Sequence, residues 1–284
     1  MKTLLGLTFL SLTMTASAAD KLPDLKDHLG IQLWSLRAQF KTDGAAALDV
    51  AKQNGLKEIE AWGGTGLTPA QLVEATKARG LEIVSSHVGY DALKKDLAGV
   101  VRDTKALGAK YAFVAHLPKF RGMKADEVKA LAQEFNTFGE AFKAEGIHFG
   151  LHNHGFEFTP TGNGDELVFD VFARETKPEL VCFELDVFWA VHPGQDPVKL
   201  LKKFPGRWVA LHVKDMRKGA PTGVHDGTAP ASDSVAIGQG QIDIPAVLRA
   251  AQSVGVKYYF LEDETTSALE NIPASVKYLR SLKP

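Results

Sequence analysis

The 284-residue chain has a single cysteine, Cys182, which rules out an intramolecular disulfide and a cysteine-rich zinc site. It also has no basic excess: 33 Lys and Arg stand against 34 Asp and Glu, a formal net charge of −1. Binding a phosphate backbone takes clustered positive charge, so no nucleic-acid partner is expected. No G-x-G-x-x-G follows a strand-like run, which removes the signature of a dinucleotide fold. Gly63-Gly64-Thr65-Gly66 is a glycine-rich loop and no more than that. No run is long and apolar enough to span a bilayer, where about 20 residues are needed. What is present is ordinary globular composition, 45% hydrophobic and 24% charged, unlike that of a disordered chain.

The N-terminus reads as an address. Lys2 gives a positive start, Leu4 to Met14 is apolar, and Ala16-Ser17-Ala18 is an A-x-A site. Together they predict a signal peptide over 1–18, cut before Ala19, with a barrel domain over 19–284. The mature chain is then expected in a periplasm or secreted, with no membrane attachment once the signal is removed.

Beyond the leader, apolar runs alternate with amphipathic stretches. The runs are Gly30–Leu36, Lys57–Trp62, Glu82–Ser86, Tyr111–His116, His148–His152, Leu180–Val187, Trp208–Val213 and Tyr258–Glu262. Helical patterns follow at Ala45–Gln53, Pro69–Arg79, Leu93–Leu107, Ala125–Glu145, Asp165–Glu175, Pro197–Phe204, Ile244–Val254 and Ser267–Leu282. Gly55, Gly80, Gly108, Gly146 and Gly255 each stand just past a helix and before a strand, where a left-handed cap is needed. The runs are too apolar to have a solvated face, as parallel strands covered on both sides should be. Such units without a composition break predict an α/β fold, a single (β/α)8 TIM barrel. From Lys218 to Gln241 the chain lacks helical periodicity, and this loop is expected at the barrel's C-terminal mouth.

In such a barrel the chemistry sits at the C-terminal ends of the strands. Those ends carry Gln32, Trp34, Glu60, Trp62, His87, His152, His154, Glu157, Glu184, Asp186, His212, Lys214 and Glu262. One such residue, His116 for example, commonly just satisfies local backbone. A set of acids converging on one opening would repel and raise its own pKa values, and a divalent cation removes that cost. The mixed oxygen and nitrogen donors suit Mn²⁺, Mg²⁺, Co²⁺ or Zn²⁺. Trp34, Trp62 and Trp189 are rim packing or platforms for a sugar's apolar face.

The segments GIQLWSLR, SSHVGY, GLHNHGFEF, FELDVFWA, ALHVKDM, IGQGQID and YYFLEDE, in that order, resemble the sugar phosphate isomerase/epimerase superfamily, the xylose isomerase-like TIM barrels. The combination of HNHGFEF, LDVFW and HVKDM is similar to an exported bacterial branch. The resemblance implies one divalent metal, Mn²⁺ first, on a Glu–Asp–His–Glu set. Asp186, His212 and Glu262 match three of these positions. The strand-five glutamate is absent: either His152 replaces it or Glu157 reaches back, and Glu157 is preferred because it restores the carboxylate count. The implied chemistry is α-proton abstraction with a metal-stabilised enediolate, using Glu262, His152, Lys214 and His87. Gln32, Trp34, Glu60, Trp62, His154 and Trp189 are the expected substrate contacts. The first expectation is a sugar isomerase or epimerase acting on a non-phosphorylated carbohydrate. A 3-keto-glycoside lyase or dehydratase and a non-catalytic periplasmic carbohydrate-binding protein are the alternatives. An oligomer is neither specified nor excluded.

Overall fold

The structure is a computed structural model that describes residues 21–25, 28–162, 164 and 166–283. The expected signal segment lies outside the described residues. Strands β1 (Leu29–Gln32), β2 (Glu58–Ala61), β3 (Glu82–Val88), β4 (Tyr111–Val114), β5 (His148–His152), β6 (Val181–Asp186), β7 (Trp208–Val213) and β8 (Tyr258–Leu261) form one closed barrel. Each pairs in parallel with its neighbours in chain order, and β8 closes on β1. Around it run helices α1 (Gly44–Gln53), α2 (Pro69–Lys77), α3 (Tyr90–Ala106), α4 (Ala125–Ala144), α5 (Val168–Glu175), α6 (Pro197–Lys203), α7 (Ile244–Val254) and α8 (Ala268–Ser281). The expected (β/α)8 barrel is therefore the fold.

Local signals set the helix ends. Thr68 caps α2 in a capping box with Gln71, ahead of Pro69. The five cap glycines take positive φ, from 67° at Gly55 to 90° at Gly255. The first strand is shorter than expected, because Leu33–Leu36 turns into a 3-10 helix capped by the Gln32 side chain. The apolar content of that turn made it look like strand.

The helix-facing sides of the strands join the main core. Inside the barrel, a smaller cluster of Val84, Tyr111, Phe113, Ala210 and Phe260 fills the lower lumen. Strand side chains alternate in direction, so the residue two positions on enters the lumen one layer higher. Ala210 is followed in this way by His212, Phe260 by Glu262, and Gly150 by His152. Gly150 is required in the lower layer, since an added Cβ would lie 2.3 Å from the Cys182 carbonyl oxygen.

The Lys218–Gln241 segment is tied down. Ser234–Val235 pairs antiparallel with Asp215–Met216. The Asp215 carboxylate accepts from the backbone N–H groups of Met216, Gly238, Gly240 and Ile242. Gly223 and Val224 donate to the His192 carbonyl. The segment runs along the rim and does not line the main pocket.

Candidate active site and cation site

A pocket of about 540 Å³ opens at the C-terminal ends of the strands. Trp34, Trp62, Gly63, Gly64, His116 and His154 form part of its wall. His87, His152, Glu262 and Glu264 bring charge and imidazole to it. Trp34 and Trp62 meet edge to face, with ring centres 5.0 Å apart. Gly64 makes room for Trp62, because a Cβ there would overlap the indole. Trp34 is 37% exposed and packs beside the Arg37 guanidinium, 4.9 Å from its ring centre.

Below the pocket lies a closed polar network. Pairing places Gln32 beside Glu60, Glu60 beside Ser85, His152 beside Glu184, and Asp186 beside His212. Gln32 Nε2 donates to Glu60 Oε1 at 2.8 Å, and Ser85 Oγ donates to Glu60 Oε2. Glu60 Oε1 lies 2.6 Å from His212 Nε2 and 3.0 Å from His87 Nε2. Glu184 Oε2 lies 3.0 Å from His87 Nε2, 2.9 Å from His152 Nδ1 and 3.3 Å from His212 Nε2. One layer up, His212 Nδ1 is 3.2 Å from Glu262 Oε2. The Lys214 ammonium stands 2.9 Å from Glu262, 3.3 Å from Asp186 and 3.2 Å from Glu264.

These neighbours decide the protonation states. Burial would lower the His87 pKa, but the Glu60 and Glu184 carboxylates outweigh it and lift it to about 9. The same opposition leaves His212 raised. Burial favours a neutral Glu60, yet His87 and His212 pull its pKa well below the usual range. Burial and the charge of Glu60 push Glu184 up to about 7. Burial raises Asp186 to about 6, against the pull of Lys214. Glu262 is also buried, but Lys214 and His212 keep it ionised and well below a normal carboxylate. His152 and His154 are both lowered, chiefly by burial, His154 to about 3. The His154 Nδ1–H donates to the Ala115 carbonyl at 2.7 Å, which leaves Nε2 as an acceptor on a ring that lines the pocket.

The sequence-predicted residues therefore fall into three groups. Trp34, Trp62, His87, His152, His154 and Glu262 line the pocket. Gln32, Glu60, Asp186, His212 and Lys214 are buried beneath or beside it and join its charge network. Glu157 and Trp189 fall outside. Glu157 turns away in the 3-10 turn Phe156–Phe158, after Gly155 takes a left-handed φ of 96°. Its carboxylate accepts from the His154 N–H at 3.0 Å, with no contact to Asp186, His212 or Glu262 among the described interactions. Burial raises it to about 7. The strand-five position beside the acids is held by His152. Trp189 packs with Phe188, Met216 and Ala220.

The sequence placed Glu184 and Ser85 at strand ends but gave neither a role in the site. The signal for Glu184 was its position two residues before Asp186, which puts both on the lumen side. Pairing registers shift between Ile59 and Glu60 and between Phe183 and Glu184, and such irregularities re-aim side chains near functional sites.

The residues suit a divalent cation. His87, His152, Glu184 and His212 offer ligand atoms all within 4.8 Å of one another, and so do Asp186, His212 and Glu262. Glu184 Oε1 is buried without a hydrogen-bond partner, and Asp186 Oδ2 is buried with the Lys214 ammonium 3.3 Å away. Buried carboxylates among imidazoles, one with an unsatisfied oxygen, are a fitting donor set for such an ion.

Similarity to known proteins agrees with this geometry. The model of the xylose isomerase-like TIM barrel family matches residues 48–282. A solved sugar phosphate isomerase/epimerase from Parabacteroides distasonis ATCC 8503 is similar with a TM-score of 0.74 and 25% identity, over 93% of this chain and 98% of that one. The IOLI protein, solved with a bound zinc atom, shares the fold at a TM-score of 0.70 and 17% identity, over 89% of this chain and 95% of that one. Inosose dehydratase 2 of Bacillus cereus (strain ZK / E33L) is 25% identical over 140 residues, 48% of this chain and 46% of its own length. The chain spans about half the length of the first curated relatives it matches. With a closed eight-stranded barrel and a family match over most of its length, the chain belongs to the xylose isomerase-like TIM barrel family.

Proposed function

We propose that the protein is an enzyme that removes a proton next to the carbonyl of a non-phosphorylated carbohydrate, with elimination of a β-substituent as the outcome. The carrying observation is the pocket lining: two indoles, four imidazoles and two carboxylates, with no Lys or Arg among them. Two carboxylates with no Lys or Arg in the lining disfavour a phosphate dianion, whereas imidazoles and indoles suit hydroxyls and the apolar face of a sugar. The leader expected from the sequence points the same way, since it would export the chain from the compartment of sugar phosphates.

Glu262 is the proton acceptor in this reading. It lines the pocket, and Lys214 keeps it ionised. His154 Nε2 accepts from a substrate hydroxyl and orients the ring. Lys214 offsets the charge of Asp186 and Glu264 and limits their repulsion of Glu262. His212, shared by both candidate ligand sets, would hold a divalent cation with its neighbours. When bound, that cation supplies Lewis-acid polarisation of the substrate carbonyl.

Elimination is placed ahead of the isomerisation or epimerisation first expected from the sequence. Epimerisation returns the proton to the opposite face of the same carbon and is served by bases on both sides. Here the strand-five side offers His152, held neutral by burial and tied to Glu184 at 2.9 Å. The likeness to an inosose dehydratase supports the lyase outcome, and the likeness to a sugar phosphate isomerase/epimerase keeps the second reading in play.

The test is proton NMR in D₂O with free sugars, 3-keto-sugars and 3-keto-glycosides. The expected result is loss of the α-proton signal together with release of the β-substituent as its protonated alcohol or water, with deuterium at the α-carbon only in substrate that is reprotonated before elimination. Exchange without loss would favour isomerisation or epimerisation. No exchange with any compound would leave a carbohydrate-binding protein. Glu262→Gln should cut turnover by about 10²–10⁴-fold, the usual contribution of a general base, while a pure binder would keep its affinity.

A further inference from the structure

We propose that the cation seats on His87, His152, Glu184 and His212, one layer below the expected Asp186–His212–Glu262 set, and that Lys214 serves as the counter-charge for that upper set. The inference rests on the functional reading above and names the cation seat of that same site.

The upper carboxylates already have a cation. Lys214 is only 2% exposed, and its ammonium touches Asp186, Glu262 and Glu264 at 2.9 to 3.3 Å. A divalent ion placed on the same oxygens would face a buried like charge at close range. The lower set carries no such ammonium. The described partners of Glu184 Oε2 are three imidazole nitrogens at 2.9 to 3.3 Å. Edges of about 3.4 Å join the donors around a tetrahedral ion with bonds near 2.1 Å. Glu184 Oε1 remains buried and unpartnered. Glu60 lies beside the set, and two carboxylates balance one divalent ion. His87 and His152 line the pocket, so the ion has an entry path.

The upper carboxylates then gain a second role. With His212 ligating through Nε2, its Nδ1–H donates to Glu262 Oε2 at 3.2 Å. With His152 ligating through Nδ1, its Nε2–H points toward Asp186 Oδ2, 3.8 Å away, an oxygen that also faces the Lys214 ammonium at 3.3 Å. Carboxylates behind ligating imidazoles fix the tautomer and ring orientation. Three imidazoles and one carboxylate favour Zn²⁺ or Co²⁺ over the Mn²⁺ expected from the resemblance.

The experiment titrates the metal-stripped full chain with Zn²⁺, Mn²⁺ and Co²⁺ alone, reading stoichiometry, affinity and the Co²⁺ visible absorption band. One ion per chain is expected, with Zn²⁺ and Co²⁺ held more tightly than Mn²⁺. His87→Ala and Glu184→Gln should each weaken Zn²⁺ binding by more than about 100-fold and abolish the Co²⁺ band. Asp186→Asn, acting from behind a ligand, should cost about 10–100-fold with the band retained. Thermal melts of all variants report folding, and two independent lower-set substitutions guard against one that fails to fold. A band that survives His87→Ala and vanishes in Asp186→Asn would overturn the assignment, as would the absence of stoichiometric binding. Deuterium exchange without cation binding would sink this inference and leave the functional reading standing. Binding without exchange would do the reverse.

Discussion

The lower and upper halves of the barrel lumen come from the same strands and differ in kind. The lower half is aromatic and closed, with Tyr111 stacked on Phe113 and Tyr258 on Phe260. The upper half is a network of carboxylates and imidazoles under an open pocket. The two meet where the His212 ring contacts Phe260, with ring centres 6.3 Å apart. The lower half works by excluding water and fixing strand spacing through packing. The upper half places charges where burial strengthens their interactions. The barrel can therefore vary its chemistry two residues beyond a layer that must not vary.

Substitutions in each half should separate these roles. Phe260→Ala removes a fully buried ring from the lower layer and should cost about 3–5 kcal/mol in urea or thermal unfolding. A cost below about 1 kcal/mol would mean that the lower lumen is not the structural layer. Glu157→Gln probes the buried carboxylate that the upper network leaves out. Burial raises the Glu157 pKa above its unfolded value of 4.5 to about 7, so the folded state binds the proton more tightly. Wild-type stability from this group is full below pH ~4.5 and falls as pH rises toward 7, by roughly 3 kcal/mol. The variant should lose none of it, so its stability relative to wild type should climb across that window in denaturant titrations. A pH-independent difference would show that Glu157 is solvated or paired. At the open end of the pocket, Trp34→Ala should leave the melting temperature nearly unchanged and raise KM by about 2–10-fold, the worth of one aromatic contact. An equal loss of stability would make Trp34 a packing residue like those below.

Much of the fold could be read along the chain. Gly55, Gly80, Gly108, Gly146 and Gly255 marked helix ends because a left-handed cap is a local requirement. Trp208–Val213 and His148–His152 were read with their observed limits because both are bounded by turns. Leu33–Leu36 was misread, since apolar composition alone cannot separate a strand's end from a 3-10 turn. At the site, His87, His152, Asp186, His212 and Glu262 were legible as polar residues at strand ends. The preference for Glu157 over His152 followed carboxylate count. It failed to anticipate the 3-10 turn after Gly155, which points Glu157 back at its own backbone.

By itself the sequence determined the alternation of strand and helix, the glycine caps that end five of the eight helices, and the layer of acids and histidines at one end of the strands. These follow from spacings of two to four residues, within reach of backbone conformation. Only the tertiary structure decided that Glu184 stands among three imidazoles, that Lys214 neutralises Asp186 and Glu262, and that Glu157 stays outside. Those outcomes depend on cross-strand register, including the shifts at Glu60 and Glu184, and register is set by closing the whole barrel around its aromatic floor.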